Sequence, residues 1–143
     1  MRNTRSFTRS RRAIGKTKCV DEYARATLGG VLTDEAFDRM LPLGERWADG
    51  VHSVIRERDV PWHVTRLGAR AEYHFTPEPP RNGREQWDNS DPELEAFLHL
   101  WAINRRILMT PFHNMALMSP STTEADVDRH TAVFADAVDA LFA

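Results

Sequence analysis

The chain has 143 residues, of which 41% are hydrophobic and 28% charged, and its net charge is −2. This size and composition are typical of one globular domain with a modest core. The sequence contains no run of about 18 apolar residues, so it predicts no membrane-spanning helix. Its single cysteine, Cys19, excludes an internal disulfide and a four-cysteine zinc framework, and it predicts a reducing, cytoplasmic location.

The charges are unevenly distributed along the chain. Residues 1–18 carry seven of the 19 basic residues and no acid, so the rest of the chain holds 12 basic and 21 acidic groups. Because this segment lacks helical apolar spacing, we interpret residues 1–20 as a basic, disordered leader and residues 21–143 as one domain. The acidic body argues against nucleic acid as the main partner, although a basic arm could bind it in a salt-dependent way.

The first half of the domain shows helical spacing. A short helix is expected around Asp21 to Leu28. From Thr33 to about Asp59, apolar residues at i, i+3, i+4 and i+7 predict a strong helix, which Pro42 should kink or split.

The pattern then changes to the period of two that is typical of strands. In PWHVTRLGARAEYHF, residues 61–75, Gly68-Ala69 predicts a hairpin with a type II′ turn. The core face should carry Trp62 opposite Phe75 and Val64 opposite Tyr73. The predicted pairs on the other face are Leu67–Arg70, Thr65–Glu72 and His63–His74.

The second half should continue as loop, helix, two strands and helix. Residues 76–90 are rich in Pro, Gly and Asn and predict a long loop. Asp91-Pro92 then opens a helix that ends near Arg105. RILMT and MALMS are predicted as short strands around a turn at residues 111–114, and Thr123 caps the last helix with Asp126 three residues on.

The order of elements is therefore α-ββ-α-ββ-α. It predicts an α+β fold in which a small antiparallel sheet, made of the hairpin plus two short strands, has helices packed on one face.

No catalytic set and no metal site can be assembled from the sequence alone. His63 and His74 face each other across the hairpin, but no third ligand is placed, so solvated strand histidines are the favoured interpretation. His52, His99 and His130 are expected at the surface of helices. A nucleophile elbow and a Gly-rich phosphate loop are both absent from the sequence.

Four stretches of the chain carry a resemblance to a known family. It resembles the C-terminal small domain of class III, fold-type I pyridoxal-phosphate aminotransferases, and within them the glutamate-1-semialdehyde 2,1-aminomutase branch. The stretches are ARATLGGVLTDEAFDRMLPLGERWADGVHSVI, PWHVTRLGARAEYHF, PPRN and RRILMTPFHNMALMSPSTTEADVDRHTAVFADAV.

The resemblance implies two substrate-binding positions. In the family, the loop that corresponds to Pro111–Met115 leans towards the cofactor and substrate, so His113 and Asn114 would form the polar edge of a pocket. Arg70 would clamp a substrate carboxylate, for which a guanidinium is suited. The alternatives are a plain turn and an exposed strand arginine. Asn114 stands where aminomutases have an acidic residue, which favours a general amine transfer over the aminomutase reaction.

The resemblance also implies what the chain would need from elsewhere. The family requires a Schiff-base lysine and a phosphate cradle in its large domain. The only lysines here are Lys16 and Lys18, and neither precedes the expected Gly-rich turn.

We therefore expect a C-terminal fragment that is inactive alone, binds no pyridoxal phosphate by itself and has no catalytic residues of its own. Its partners would be the missing large domain or an intact aminotransferase subunit, with amino and keto acids or aldehydes as substrates of the intact enzyme. A homodimer, as in the family, is a further expectation. The alternative is a stand-alone, non-catalytic module that docks on an intact aminotransferase.

Overall fold

The computed structural model describes residues 12–110 and 113–143, with side chains from Cys19 onward. The chain divides into two compact units, one ending at Asp34 and one spanning Glu35–Ala143. Five helices and three strands lie within the described residues: α1 (Arg12–Gly30), α2 (Asp34–Glu57), β1 (His63–Leu67), β2 (Arg70–His74), α3 (Gly83–Asp88), α4 (Pro92–Asn104), β3 (Met115–Leu117) and α5 (Glu124–Leu141).

Helix α1 is longer than the sequence predicted. Residues 12–20, expected to be disordered, are helical, and residues 1–11 of the expected leader lie outside the described residues. The segment contains no proline, and Arg12, Ala13, Lys16 and Lys18 are good helix formers. The division into a leader and a domain at residue 20 stays a prediction.

Helix α2 runs through Pro42 as one helix, so of the two predicted outcomes the split is wrong and the kink stays a prediction. Proline cannot donate to the carbonyl four residues earlier, that of Asp38. Both positions are exposed, so water can hydrate that carbonyl and the loss is small. The residues of α2 that face the core are buried: Ala36, Met40, Leu43, Gly44, Trp47, Val51, Val54 and Ile55.

The hairpin has the predicted register. His63 pairs with His74 and Leu67 with Arg70. Gly68 has a φ of +61°, and Asp59 and Arg106 are the only described non-glycine residues with positive φ. A single positive φ at the first turn position is what a type II′ turn requires.

The third strand extends this sheet, and the predicted fourth strand is wrong. β3 pairs antiparallel to β2, which gives the strand order β1-β2-β3. RILMT forms no strand: Arg106 has a φ of +64° just after α4, and the Thr110 N–H donates to the Met115 carbonyl over a long 3.4 Å. The α+β class is confirmed.

The expected long loop at residues 76–90 contains the short helix α3. Its N-cap is Asn82, whose side chain accepts hydrogen bonds from the N–H groups of Arg84 and Glu85. The ion pairs Arg81–Glu85 (2.7 Å) and Arg84–Asp88 (2.9 Å) at i,i+4 spacing add support. Local capping therefore outweighs the glycine and proline content of the segment.

Helices α2, α4 and α5 contribute to the core beside the inner face of the sheet. Helix α5 begins as predicted, with Thr123 and Asp126 forming a reciprocal capping box. Trp47, Tyr73 and Phe134 meet at the centre, with ring centroids 6.0 Å apart for Trp47–Tyr73 and 4.8 Å for Tyr73–Phe134. Among the described residues no helix is both long and apolar enough to cross a bilayer.

Candidate functional site

The outer face of the sheet carries the first predicted site residue, Arg70. Residues directly opposite each other in an antiparallel pair share a face, so Leu67, Arg70 and Leu117 form one row across the three strands. Leu67 is 78% exposed and Leu117 is 59% exposed. Arg70 is thus a cation between two exposed leucines, on the face opposite the core.

The next row on the same face is centred on Glu72, which sequence reasoning missed as a site residue. Glu72 pairs with Thr65 on one side and Met115 on the other, and its side chain is only 13% exposed. Arg70 donates from Nη2 to the Glu72 Oε2 at 3.0 Å. The Glu72 Oε1 lies 3.7 Å from Nδ1 of His113.

Glu72 therefore connects two of the three predicted site residues. Arg70 and His113, which are 49% and 60% exposed, meet on either side of one largely buried carboxylate. The strand spacing contained a signal for this, because a residue two positions beyond Arg70 must share its face.

Asn114, the third predicted residue, is placed differently. It is 9% exposed, and its carbonyl accepts a hydrogen bond from the Tyr73 N–H at 3.3 Å. That hydrogen bond connects the segment before β3 to the central strand β2. Pro111 and Phe112 of the predicted active-site loop lie outside the described residues.

Two adjoining cavities contact these residues. An open depression of about 380 Å³ has Arg70, Glu72 and His113 in its wall. A small cavity of about 30 Å³ is lined by Glu72, His113 and Asn114, with Glu95 of α4 on its other side. Burial raises the pKa of Glu95, while the nearby His113 opposes that shift. This arrangement places the guanidinium of Arg70 on strand β2 and the imidazole of His113 on the loop before β3, both beside the open depression.

His74 also lines both cavities, and its hydrogen bonds fix its tautomer. The Gln86 amide nitrogen can only donate, so Nδ1 of His74 accepts at 3.3 Å and Nε2 donates to the Thr65 hydroxyl at 2.9 Å. Burial lowers the pKa of His74, although Glu72 opposes the shift. His74 is thus a neutral wall residue.

The His63/His74 pair does not form a metal site. Their rings stack with centroids 4.6 Å apart, which prevents both lone pairs from converging on one ion. The Nδ1 of His63 donates to the Thr76 carbonyl, and the described residues hold no cluster of three potential ligands. These histidines are half-buried, not solvated as expected.

His130 was expected at the surface, and that expectation is wrong. It is 6% exposed, its ring is tilted by 36° against that of Trp47 with centroids 4.8 Å apart, and its buried Nδ1 has no hydrogen-bond partner. Burial lowers its pKa to about 4. It belongs to the core and not to the wall around Glu72.

Similarity to known proteins covers most of this chain but a minor part of each relative. The chain is 34% identical over 98 residues to glutamate-1-semialdehyde 2,1-aminomutase 2 of Halalkalibacterium halodurans, which is 66% of this chain and 21% of that protein. No protein-family model matches the chain.

The similarity to solved structures likewise covers most of this chain and a minor part of each relative. A glutamate-1-semialdehyde aminomutase from Pseudomonas aeruginosa PAO1 is 44% identical with a TM-score of 0.79, over 82% of this chain and 26% of that one. An omega-transaminase from Sphaerobacter thermophilus is 28% identical with a TM-score of 0.62, over 76% of this chain and 25% of that one. The chain thus spans about a quarter of the length of these relatives, a share that fits a small domain.

Proposed function

We propose that this chain acts as the small domain of a pyridoxal-phosphate-dependent aminotransferase. It has the class III aminotransferase fold, and the part that it matches in the glutamate-1-semialdehyde aminomutases has the size of a small domain. The intact enzyme would transfer an amino group between an amine or amino acid and a keto acid or aldehyde. In this role the chain supplies one wall of the substrate pocket, made of Arg70, His113 and Asn114.

The observation that carries the proposal is the outer sheet face. It combines a conformationally supported guanidinium with exposed leucines on both sides, Leu67 and Leu117. Exposed apolar residues around a polar centre are typical of a surface that another domain covers. A large domain on this face would exclude water from Arg70 and strengthen its attraction for a substrate carboxylate.

The cofactor itself does not fit the described residues. A relative from Pseudomonas aeruginosa was crystallised in complex with PMP, and such chemistry depends on a lysine Schiff base. The described side chains include no lysine, and the only two in the sequence are Lys16 and Lys18. The proposal therefore assigns cofactor binding to the large domain and expects this chain to be inactive alone.

Within the proposed role, each wall residue has a different task. Arg70 would bind and orient the substrate carboxylate. His113, the most exposed of the three, would contact the bound substrate from the loop before β3. The amide of Asn114, in place of the acidic residue of aminomutases, favours general amine transfer over the aminomutase reaction.

The experiment that tests the function is a domain graft. Residues 35–143 replace the matching segment of the Pseudomonas aeruginosa aminomutase, and single-turnover amine transfer is followed by the absorbance change of the cofactor. The expected result is transfer with amino acids or amines, lost or weakened by Arg70→Ala. A folded, cofactor-loaded chimera that transfers no amine from any donor would contradict the proposal.

A second experiment tests the expected inactivity of the chain by itself. The pure chain is incubated with pyridoxal phosphate and reduced with borohydride, and adducts are mapped by mass spectrometry. We expect scattered, substoichiometric labelling. Stoichiometric labelling of Lys16 or Lys18 would show that the chain binds the cofactor on its own.

A stand-alone module that docks on an intact aminotransferase is the second candidate, and the exposed leucines of the sheet face favour it too. The two candidates differ in what the chain does when mixed with a complete enzyme. Saturable binding to the complete enzyme together with an inactive chimera would favour the docking module. An active chimera with no such binding would favour the domain role.

A further inference from the structure

We propose that Glu72 is a positioning residue that holds the Arg70 guanidinium ready for a substrate carboxylate, an inference that rests on the function proposed for this wall. Glu72 would touch no substrate atom itself. It acts through Arg70, and the carboxylate-bearing ligand is recognised by the N–H groups of Arg70 that Glu72 leaves available.

The rigidity of Glu72 supports this role. It lies on the central strand β2, paired on both sides, and its side chain is 13% exposed whereas that of Arg70 is 49% exposed. An unsupported arginine has many rotamers and loses them on binding a ligand. A neighbour that fixes the guanidinium beforehand removes part of that entropic cost.

The geometry leaves Arg70 free to bind a second anion. The hydrogen bond to Glu72 uses Nη2 of Arg70 at 3.0 Å, and a guanidinium has five N–H donors in a planar fork. The remaining edge can therefore form the paired bonds that a carboxylate prefers. The open depression of about 380 Å³ beside Arg70 has room for the ligand.

Both arginines that line the depression have an acidic neighbour. Arg81, across the same depression, is already paired with Glu85 at 2.7 Å. Glu72 contacts Arg70 through one hydrogen bond at 3.0 Å, and the Arg70 side chain stays 49% exposed. Nδ1 of His113 lies 3.7 Å from the other oxygen of Glu72. His113 therefore lines the same depression from the loop before β3.

A purely structural interpretation of Glu72 makes a different prediction. A mostly buried carboxylate needs a partner, and Arg70 could serve only to satisfy it. In that case a ligand carboxylate would have no effect on Arg70, and the two interpretations separate in a binding experiment on the full chain.

The experiment records the Nε–Hε resonance of Arg70 by proton–nitrogen NMR while succinate is titrated into the chain. Arg70→Lys identifies the resonance. We expect a dispersed signal that moves with succinate. The variant Glu72→Gln keeps the side-chain shape, and in it the Arg70 signal should move towards the chemical shift of a free arginine. Its affinity for succinate should be about tenfold weaker, the loss typical of one hydrogen bond to a charged group.

Two further variants keep the result interpretable. Glu45→Gln removes an exposed carboxylate of α2 and should change neither signal nor affinity. Glu72→Asp should restore part of the affinity. If Glu72→Gln stays folded and leaves both the Arg70 signal and the succinate titration unchanged, the proposal is overturned. It is equally overturned if succinate leaves the Arg70 signal of the unmodified chain in place.

The proposed function fails in a distinguishable way. A chimera without amine transfer, combined with a succinate response that depends on Glu72, would remove the aminotransferase role and keep Glu72 as the residue that positions Arg70. An active chimera whose substrate KM does not change with Glu72→Gln would keep the aminotransferase role and remove the positioning role of Glu72.

Discussion

Gly44 of α2 lies directly against the carbonyl oxygen of Gly68 in the hairpin turn: a Cβ on Gly44 would stand 3.0 Å from that oxygen and 3.1 Å from the Cα of Ala69. Both neighbours are backbone atoms and cannot rotate away. The absence of a side chain at Gly44 therefore allows the helix to support the turn that places Arg70 at the start of β2.

Replacing Gly44 with alanine should destabilise the protein. Alanine gains about 1 kcal/mol of helix propensity over glycine, but overpacking against fixed backbone costs about 1–3 kcal/mol. We expect a net loss of about 1 kcal/mol in the free energy of unfolding, measured by urea denaturation, with a shift of the Arg70 amide resonance.

The matched control is Gly83→Ala in α3, where a Cβ would meet nothing within 4 Å. It should be neutral or slightly stabilising. Equal stability of Gly44→Ala and the unmodified chain, with an unmoved Arg70 resonance, would show that the turn does not depend on this close approach.

Gly50 and Thr131 provide a second close contact, between α2 and α5. A Cβ on Gly50 would lie 2.4 Å from the Thr131 Oγ1, and that hydroxyl donates to the Val127 carbonyl at 3.3 Å. Gly50→Ala should therefore lower the free energy of unfolding by about 1–2 kcal/mol.

Thr131→Ala should rescue Gly50→Ala because it removes the side chain that the new methyl group meets. Urea denaturation of the two single variants and the double variant gives the coupling energy between the positions. We expect the double variant to be more stable than Gly50→Ala alone. Additive losses would mean that α2 and α5 adjust freely at this contact.

The hairpin and the last helix could be predicted because local rules decide them. Strand alternation and the turn at Gly68 set the register, and the Thr123 cap sets the start of α5. The α3 helix was also within reach, since Asn82 followed by Glu85 is a capping pattern. The Pro, Gly and Asn content of residues 76–90 led to the prediction of a loop instead.

Other features depend on packing that no local pattern contains. On a helical stripe that contains Val127 and Phe134, either His130 or Thr131 could face the core. In the structure Thr131 contacts Gly50 of α2, and His130 is the buried residue. Arg70 and Glu72 share a face by strand spacing alone. The approach of His113 to Glu72 depends on how the loop before β3 folds onto β2.

The ion pair between Arg46 and Asp128 joins α2 to α5 at the surface. It is bidentate, with Nε–Oδ1 at 2.7 Å and Nη2–Oδ2 at 2.8 Å, and both side chains are about half exposed. Asp128→Asn should cause a small loss of stability that shrinks as salt is added, since exposed pairs are screened.

The pH dependence of that loss has a defined sign. The hydrogen bonds from Arg46 lower the pKa of Asp128 below its ordinary value of 3.8. Its stabilising effect is therefore fully present above pH 3.8 and disappears as the pH falls through the lowered value. Thermal unfolding of the unmodified chain and of Asp128→Asn, above and below pH 3.8 and at two salt concentrations, checks both predictions. A difference that is independent of salt would contradict an electrostatic origin.

His130 predicts a larger pH effect on stability. Burial lowers its pKa from 6.5 to about 4 in the folded chain, so above pH 6.5 the imidazole is neutral in both states and contributes no pH dependence. Between 6.5 and 4 the unfolded chain binds the proton first. The free energy of unfolding should fall on acidification, by about 3 kcal/mol at the lower limit.

Replacing His130 with phenylalanine tests this assignment, because it keeps an aromatic ring against Trp47 and removes the titrating group. Urea midpoints at several pH values should show a clearly smaller acid-induced loss for His130→Phe than for the unmodified chain. His52→Gln alters an exposed histidine of α2 and should keep the full loss. If His130→Phe loses as much stability as the unmodified chain across the same window, the acid sensitivity arises from groups other than His130.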